Sequence, residues 1–374
     1  MARTNVELGQ THGATYPHLR QTGLRCSAET ATVGPMPAET PDARVDRLRG
    51  LMQHRSEFLR AHVSDRQLGR RAAAGRLIRL PHGWYVEGAA WQALYAEDRH
   101  LLGVLATATG QRGTTAGAGL LVFSYYSAAV LHRLPLYGFK ASRTHKTRAL
   151  GAPRARHSAF TVHHQERLDP SSITDVAGVP CTDLARTAVD IARIAPPEMA
   201  LACADAALLR LARLDGRPRD AECADLRAAV LAGADALRFS QGISAARHIL
   251  SRADARSESP LESISRWYLE RLGFEVDVQI PVAGPAGGCY WVDFELRGLD
   301  VLGEVDGAQK YRAGGEGSSQ VAALHQREKR RADWIVGTTG KRLVRWGAAD
   351  LASIERFARR LEAFGLRIPR RQPW

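Results

Sequence analysis

The sequence predicts a multidomain protein with a small α-helical module near its N-terminus, an α-rich middle region and a C-terminal α/β domain. At 374 residues, the chain is long for a single hydrophobic core. Arg-rich helical segments and a short hairpin pattern come first, Ala- and Leu-rich helical patterns fill the middle, and period-two alternation returns near the C-terminus. An apolar content of 45% and a charged content of 24% exclude a wholly disordered chain.

The charge balance favours polyanionic partners. Fifty-two Lys and Arg against 39 Asp and Glu leave a formal net charge of +13. A field of that sign attracts nucleic acid or an anionic membrane surface, although an arginine excess can also reflect a GC-rich genome. No apolar run reaches membrane-spanning length and no secretory signal is visible, which predicts a cytoplasmic protein without a membrane partner.

Residues 1–42 are predicted to be a disordered leader. They carry Thr, Gly, Pro and Ala without a helical or strand period, as in the stretch VGPMPAETPD. The alternative is an over-long gene start, with Met36 or Met52 as the true first residue.

Residues 43–90 have the element order of a winged helix-turn-helix. A helical segment beginning at Pro41 is followed by SDRQLGRRAAAG, with Ser64 as a helix N-cap and Gly75 as a stop, and then by a basic hairpin around PHG. In such a module the second helix enters the major groove of DNA. The alternative is a basic helical hairpin whose arginines are only solvated. The predicted DNA-contacting residues are Arg66, Gln67, Arg70 and Arg71 on the helix and Arg76 and Arg79 on the wing.

Residues 91–255 are predicted to form a mostly helical middle domain. SYYSAAVLHRLPL, TDLARTAVDIARI, ALACADAALLRLARL and SAARHILSRAD have helical patterns, and AFTVHHQERL has that of a strand. His163 and His164 are adjacent in that strand, so they face opposite ways and make poor joint metal ligands. No catalytic spacing is present, which favours a scaffold.

Residues 256–374 contain the most informative pattern, a predicted β-hairpin. WVDFEL and VLGEVDG alternate around Gly298-Leu299, which suits a two-residue type II′ turn. In this register the numbers of two paired residues add up to 597, so Asp293 falls opposite Glu304. Asp293, Glu304 and Asp306 share one face, whereas Val292, Phe294 and Val305 share the other.

Like charges directly opposite destabilise a strand pair, and a hard divalent cation removes that repulsion. The hairpin therefore predicts a Mg²⁺ (or Mn²⁺) site held by Asp293 and Glu304. Lys310, a few residues further on, can stabilise developing negative charge on a phosphate. The alternative is a solvent-facing hairpin whose acids only keep it soluble.

A helix bearing a Glu, an Asp on a strand, Glu-x-Asp on the next strand and then Lys resembles the PD-(D/E)XK, restriction-endonuclease-like nuclease fold. More closely, EVDGAQKY followed by a basic helix and RLVRWGAADL resembles the Vsr-like endonuclease domain of actinobacterial proteins. GRLIRLPHGWYV is similar to the DNA-binding domain of AbiEi-type antitoxins, and TDLARTAVDIAR to the middle region of the same combined architecture. The resemblance covers roughly residues 45–351.

The resemblance implies catalytic roles for Glu262, Asp293 and Glu304. Asp306 stands where the motif has Lys, so either Lys310 supplies the charge from a migrated position or the site is inactive. Glu262 has a second interpretation, because Ser259-Pro260-Leu261-Glu262 also fits an N-cap, Pro at N1 and a capping-box Glu.

If the site is active, metal held by Asp293 and Glu304 polarises a phosphodiester and activates water. The segment 324–374 holds thirteen Lys or Arg against five Asp or Glu, which favours a track for DNA phosphates over a merely solvated helix face. The residues predicted to hold the flanking backbone are Arg327, Lys329, Arg330 and Arg331.

Three functions follow from these patterns. The first is a metal-dependent DNA endonuclease targeted by its own winged helix. The second is an antitoxin-like or repressor-like DNA-binding protein with a catalytically inactive nuclease fold. The third is a partner of a cognate toxin or other protein, docked on the Ala-rich middle.

Overall fold

The computed structural model describes residues 39–109, 121–140, 143–148, 158–166, 168–212, 220–285, 287–306 and 318–369. Most of the predicted leader and Lys310 lie outside these residues. The described part is a mixed α/β protein with three β-sheets, which confirms the coarse fold prediction. Within it, no helix is both long enough and apolar enough to cross a membrane.

The N-terminal part packs three helices against a three-stranded sheet of order β1-β3-β2. The single helix expected from Pro41 is wrong, because Gln53 and His54 leave the helix to pair with Tyr85 and Trp84. Thr40 caps the first helix and Pro41 starts it. The elements are α1 (Pro41–Gly50), β1 (Gln53–His54), α2 (Arg55–Arg60), α3 (Asp65–Ala73), β2 (Leu77–Arg79) and β3 (Trp84–Glu87).

Helix α3 begins and ends where the sequence predicts. The Ser64 side chain accepts a hydrogen bond from the Gln67 backbone N–H, and the Gln67 side chain accepts one from the Ser64 N–H. Gly75 follows the helix at φ +69°, a left-handed conformation that favours glycine. The hairpin then turns at Pro81–Gly83 as expected.

Besides its helices, the described middle part contains a five-stranded sheet of order β6-β5-β4-β8-β7, of which the sequence predicted only the strand around His163. The predicted helices and the strand around His163 are confirmed, and the Asp183 side chain caps α7 by accepting from the Arg186 N–H. The elements are α4 (Gly88–Ala93), α5 (Ala96–Thr109), β4 (Leu121–Phe123), α6 (Tyr125–Leu131), β5 (Thr144–Arg148), β6 (Thr161–Gln165), β7 (Ile173–Val176), β8 (Val179–Thr182), α7 (Leu184–Ile194), α8 (Pro197–Leu211), α9 (Asp220–Asp235) and α10 (Ile243–Leu250).

Strand β5 shows why this sheet escaped prediction. Its segment THKTR is polar throughout, so it carries no apolar alternation. Thr144, His145, Lys146 and Thr147 are nevertheless all buried. Hydrogen bonds to neighbouring elements offset part of the free-energy cost of burying these polar side chains. Thr147, for example, donates to the Ser124 hydroxyl at 2.8 Å.

The C-terminal part is a four-stranded mixed sheet of order β12-β11-β10-β9. Strands β9, β10 and β11 are antiparallel neighbours, and β12 returns parallel to β11 after the crossover helix α12. The elements are α11 (Pro260–Arg271), β9 (Val276–Ala283), β10 (Cys289–Leu296), β11 (Val301–Asp306), α12 (Ser318–Thr339), β12 (Arg342–Gly347) and α13 (Ile354–Ala363).

One hydrophobic core runs through all three parts. It joins Leu48 of α1, Leu102 of α5, Leu201 of α8 and Phe357 of α13 in one cluster of buried side chains. A second, smaller cluster around Phe58 lies within the N-terminal part. Because the apolar core is shared, experiments on any one part are best performed on the full chain.

Candidate functional site

The β10–β11 hairpin has the register predicted from the sequence. Phe294 pairs with Gly303 and Leu296 with Val301, so partners sum to 597. The turn differs from the prediction: the strands separate at Leu296 and Val301, leaving a four-residue loop instead of the two-residue Gly298-Leu299 turn. The Arg297 side chain donates from Nε to Asp277 Oδ2 on β9 at 2.6 Å.

The regular alternation of β10 breaks at Asp293. Phe294 pairs with Val278 and Val292 with Ile280, but no ladder pair forms between Asp293 and Gln279, and Gln279 has φ +53°. A non-glycine residue in this conformation inside a strand is strained and rotates the strand faces relative to each other.

The break overturns the prediction that Val292 shares a face with Phe294. Val292 packs with Leu302 and Ile335 in one cluster. Phe294 instead stacks on Trp346, at 5.7 Å between ring centroids, in the main core. Both faces of the sheet are therefore buried near Asp293.

Asp293 lies among other acids in this distorted part of the sheet. Its Oδ2 accepts a hydrogen bond from the Val305 backbone N–H at 2.9 Å, which ties it to β11. Burial, followed by the neighbouring Glu262 and then Glu304, raises the pKa of Asp293 to about 7, although the Val305 hydrogen bond opposes the rise. Burial and the two neighbouring carboxylates together therefore disfavour ionisation of Asp293.

Glu262 is more than a helix cap. The Ser259 hydroxyl accepts from the Glu262 N–H at 3.2 Å, as the capping interpretation predicts. The Glu262 carboxylate, however, accepts from the Glu258 N–H at 2.9 Å and from the Gln279 side-chain amide at 3.1 Å. Burial raises the pKa of Glu262. The reciprocal capping box is thus replaced by contacts that point the carboxylate toward the sheet.

Glu304 is 6% exposed and is bound by two guanidinium groups. Arg331 of α12 donates to Oε1 at 2.6 Å, and Arg345 of β12 forms an ion pair with Oε2 at 2.6 Å. Arg331 also donates to the Trp291 carbonyl at 2.6 Å. Arg331, which was predicted to hold the DNA backbone, thus points at Glu304 in this arrangement and is partly buried, and its contact with DNA stays a prediction.

The other predicted site residues lie at the end of β11, on α12 or outside the described residues. Asp306 ends β11, partly buried, and pairs with Gly347 of β12. Lys310 lies outside the described residues. Arg327, Lys329 and Arg330 are exposed on α12, as predicted.

The acid cluster, defined as Glu262, Asp293 and Glu304, suits a hard divalent cation by donor chemistry, since all three offer carboxylate oxygens. Burial first, and the neighbouring Glu262 and Glu304 after it, raise the pKa of Asp293. Among the described residues, however, no group of three or more His, Cys, Asp or Glu side chains is arranged to hold a metal ion. Two arginines already occupy Glu304, so a cation would have to compete with them.

Sequence reasoning missed Gln279 and Arg345. Alternation in VDVQIPV places Gln279 beside Asp277 on an outward face, but the strand break buries it to 8% exposure. Arg345 follows Leu343 and Val344 in a basic segment, with no feature to distinguish it. Only the parallel pairing of β12 with β11 places Arg345 opposite Glu304.

The predicted DNA-contacting arginines of the N-terminal part are all exposed on the described surface. Gln67 is exposed too, but its side-chain oxygen is engaged by the Ser64 N–H at 2.8 Å. Its contact with DNA stays a prediction, in which the side-chain NH2 is the group left to reach a base while the oxygen caps the helix. The exposed arginines are Arg66, Arg70, Arg71, Arg76 and Arg79.

Asp293→Asn should stabilise the metal-free protein above pH 7. Because the folded-state pKa of about 7 exceeds the ordinary 3.8, stability falls as pH rises between these values and the full penalty is present above 7. The difference corresponds to at most about 4 kcal/mol, and partial solvent access reduces our expectation to roughly 2 kcal/mol. Urea unfolding in EDTA at pH 8 and pH 4.5 measures this. A gain that is equal at both pH values contradicts the assignment.

Comparison with known proteins identifies similar proteins, but none whose activity is described. No family model matches the chain. It is 29% identical, over 246 residues, to proteins described as uncharacterized in Mycobacterium tuberculosis strain CDC 1551/Oshkosh and strain H37Rv. The match covers 65% of this chain and 79% of each relative. Since the relatives' description names no reaction or ligand, the function of this chain has to follow from its own residues.

Proposed function

We propose that the protein is a metal-dependent DNA endonuclease with a restriction-endonuclease-like C-terminal domain and an N-terminal winged helix that directs it to DNA. The observation that carries the proposal is the acid cluster at the break in the C-terminal sheet. Three carboxylates gather there beside a strained, buried Gln279. Such an arrangement weakens the fold, and destabilising arrangements of this kind concentrate at functional sites.

Asp293 and Glu304 would hold a Mg²⁺ or Mn²⁺ ion, which when bound supplies Lewis acidity toward a phosphodiester and an activated water. The protein's own residues prepare that position. The Val305 N–H orients Asp293, and the Gln279 amide orients Glu262 beside it. Arg327, Lys329 and Arg330, which are exposed on α12, would hold DNA phosphates that flank the scissile bond.

Plasmid nicking tests the proposal. The full chain should convert supercoiled plasmid to the nicked form with Mg²⁺ or Mn²⁺ and should fail to do so in EDTA. Asp277→Ala is the matched control, because Asp277 lies on the adjacent strand but pairs with Arg297 outside the cluster. Persistent nicking in EDTA would exclude the proposed metal chemistry.

A second candidate function is DNA binding without turnover, in an antitoxin-like or repressor-like protein. The specific observation in its favour is that Arg331 and Arg345 already neutralise Glu304. Asp306, which stands where the nuclease motif has a lysine, also favours a protein without nuclease turnover. Specific duplex binding with no nicking under any divalent cation would favour this alternative. A cognate toxin as partner remains a prediction from the sequence.

The double substitution Arg70→Ala/Arg71→Ala should weaken duplex binding by the full chain. Both side chains are exposed at the C-terminal end of α3. A contact between an arginine and a DNA phosphate releases counterions from the DNA, so losing such contacts weakens binding. The slope of log affinity against log salt should fall by about two if both contact phosphates. Fluorescence anisotropy over a salt series measures this, with Arg238→Ala, an exposed arginine of the middle part, as control. An unchanged slope would instead implicate the basic segment 324–369.

A further inference from the structure

A cleft of about 340 Å³ lies beside the turn of the N-terminal hairpin. Clefts of roughly 300–1,000 Å³ are typical of sites that bind small molecules. Most of the side chains that line this one carry aromatic rings, and the proposed nuclease uses none of them. We call it the histidine–tryptophan cleft, and its lining residues are His54, His82, Trp84 and Thr109.

The pairing of β1 with β3 positions two of these rings. His54 and Trp84 are partners across the two strands, so their side chains lie on one face of the sheet. The rings meet edge to face, with centroids 5.0 Å apart and planes inclined by 62°. Trp84 is half-buried and packs against the main core. Its indole is therefore held in place while part of the ring stays accessible.

The hairpin turn and the end of α5 provide the rest of the lining. His82 lies at φ +54° and Gly83 at φ +78°, both in the left-handed region. This conformation is uncommon for a residue with a side chain, and such residues concentrate at ligand-binding sites. The His82 side chain is exposed at the cleft. Thr109 completes the lining, with its hydroxyl donating to the Ala106 carbonyl at 2.8 Å.

The cleft also offers polar ring atoms that the fold does not use. Nδ1 of His54 accepts from the Ser56 backbone N–H at 3.3 Å, which leaves the proton of the neutral ring on Nε2. Within the described part of the chain, neither this Nε2 nor the rings of His82 and Trp84 form a hydrogen bond. Aromatic walls with a few available polar groups are the usual lining of a small-molecule site.

The cleft is separate from the exposed arginines of α3. Trp84 and Tyr85 are consecutive in β3, so their side chains point to opposite faces of the sheet. Tyr85 packs with Leu68 of α3, whereas Trp84 packs on the main core. An occupant of the cleft therefore lies on the face of the sheet away from α3 and does not cover its arginines.

We infer that the histidine–tryptophan cleft binds a nucleobase, the planar heteroaromatic ring of a free nucleotide or of an unpaired position in a DNA strand. Every base has a π-face that can stack on an indole, here that of Trp84, and every base carries acceptor atoms. The Nε2–H of His54, whose ring is inclined to the indole, would donate to such an acceptor. This inference goes beyond the proposed nuclease and does not depend on it.

Calorimetric titration of the full chain in EDTA tests the cleft. dAMP should bind, whereas deoxyribose 5-phosphate, which has the phosphate but no base, should not. Trp84→Ala should weaken dAMP binding at least roughly fivefold, because stacking of a base on an aromatic side chain commonly contributes that much. Trp334→Ala removes an exposed indole from α12, far along the chain from the cleft, and as the matched control it should bind dAMP like the wild type.

A second variant avoids the core contacts that Trp84→Ala removes. His82→Gly deletes an exposed imidazole, and glycine adopts the left-handed backbone of this position without strain. It should weaken dAMP binding roughly threefold, the usual effect of losing one modest polar contact. His62→Gly is its matched control, because His62 is also exposed and left-handed, at φ +60°, but does not line the cleft.

The same titration separates the two sources of the base. A short single strand of deoxyadenylate that binds much more tightly than dAMP identifies an unpaired strand position as the occupant, and equal affinities identify the free nucleotide. Binding of dAMP that is no tighter than that of deoxyribose 5-phosphate overturns the inference. Losses in the two cleft variants that are no larger than those in their controls overturn it as well. Because EDTA is present throughout, none of these results bears on the proposed nuclease.

Discussion

Asp293→Ala should leave supercoiled plasmid intact under conditions in which the wild-type chain nicks it. The carboxylate is one of two oxygen donors expected to hold the metal, and its loss leaves Glu304 with arginines alone. We expect nicking to slow by at least about 100-fold, since even partners that only orient a ligand contribute 10- to 100-fold. Glu304→Ala should behave alike. Initial nicking rates at saturating Mg²⁺ measure both.

Asp306→Ala and Lys310→Ala refine the same experiment. Loss of activity in Asp306→Ala assigns that residue a third ligand or water-positioning role, whereas full activity confines the site to Asp293 and Glu304. Lys310→Ala should slow turnover while metal affinity stays nearly unchanged, because an ammonium is not a metal ligand. Full cleavage by Asp293→Ala would place the activity elsewhere or in a contaminant, and the DNA-binding alternative would then stand.

Arg266→Ala should lower the free energy of unfolding by about 3–5 kcal/mol, the usual effect of leaving one partner of a buried ion pair alone. Arg266 of α11 donates to Asp205 of α8 at 2.7 Å, and their side chains are 5% and 1% exposed. The pair joins the C-terminal and middle parts across their shared core. Urea unfolding followed by circular dichroism measures the change.

The control for Arg266→Ala is Arg297→Ala, whose partner Asp277 lies at the surface. That substitution should change stability by less than about 1 kcal/mol. A loss from Arg266→Ala no larger than that of this control would mean that the pair does not connect the two parts energetically. An unfolding curve with two separate transitions would likewise show that the core is not shared in solution.

Local signals in the sequence predicted the elements whose cause is local. The Ser64 and Ser259 caps predicted the starts of two helices. In each, the serine hydroxyl accepts a hydrogen bond from the backbone N–H three residues later, a contact that does not depend on where the helix packs in the fold. The period-two pattern predicted the register of the hairpin, in which Phe294 pairs with Gly303 and Leu296 with Val301, since a slip of one residue would reverse both faces.

Only the tertiary structure decided which other side chains contact the acid cluster. Gln279 contacts Glu262, and Arg345 contacts Glu304, although each pair comes from separate elements and its sequence distance carries no information about the contact. The strained Gln279 is invisible to alternation, because periodicity assumes a regular strand. The polar β5 strand was missed for the same reason, since its burial is compensated by hydrogen bonds with distant residues rather than by an apolar pattern.

The sequence by itself thus determined which residues form the helix caps and the register of the hairpin, because these depend on neighbours within a few positions. The packing of α12 and β12 against that hairpin decided that Arg331 and Arg345, rather than solvent, meet Glu304. The physical reason is that charge pairing across a fold depends on distance in space, and residues 27 and 41 positions beyond Glu304 reach it only after the sheet has formed.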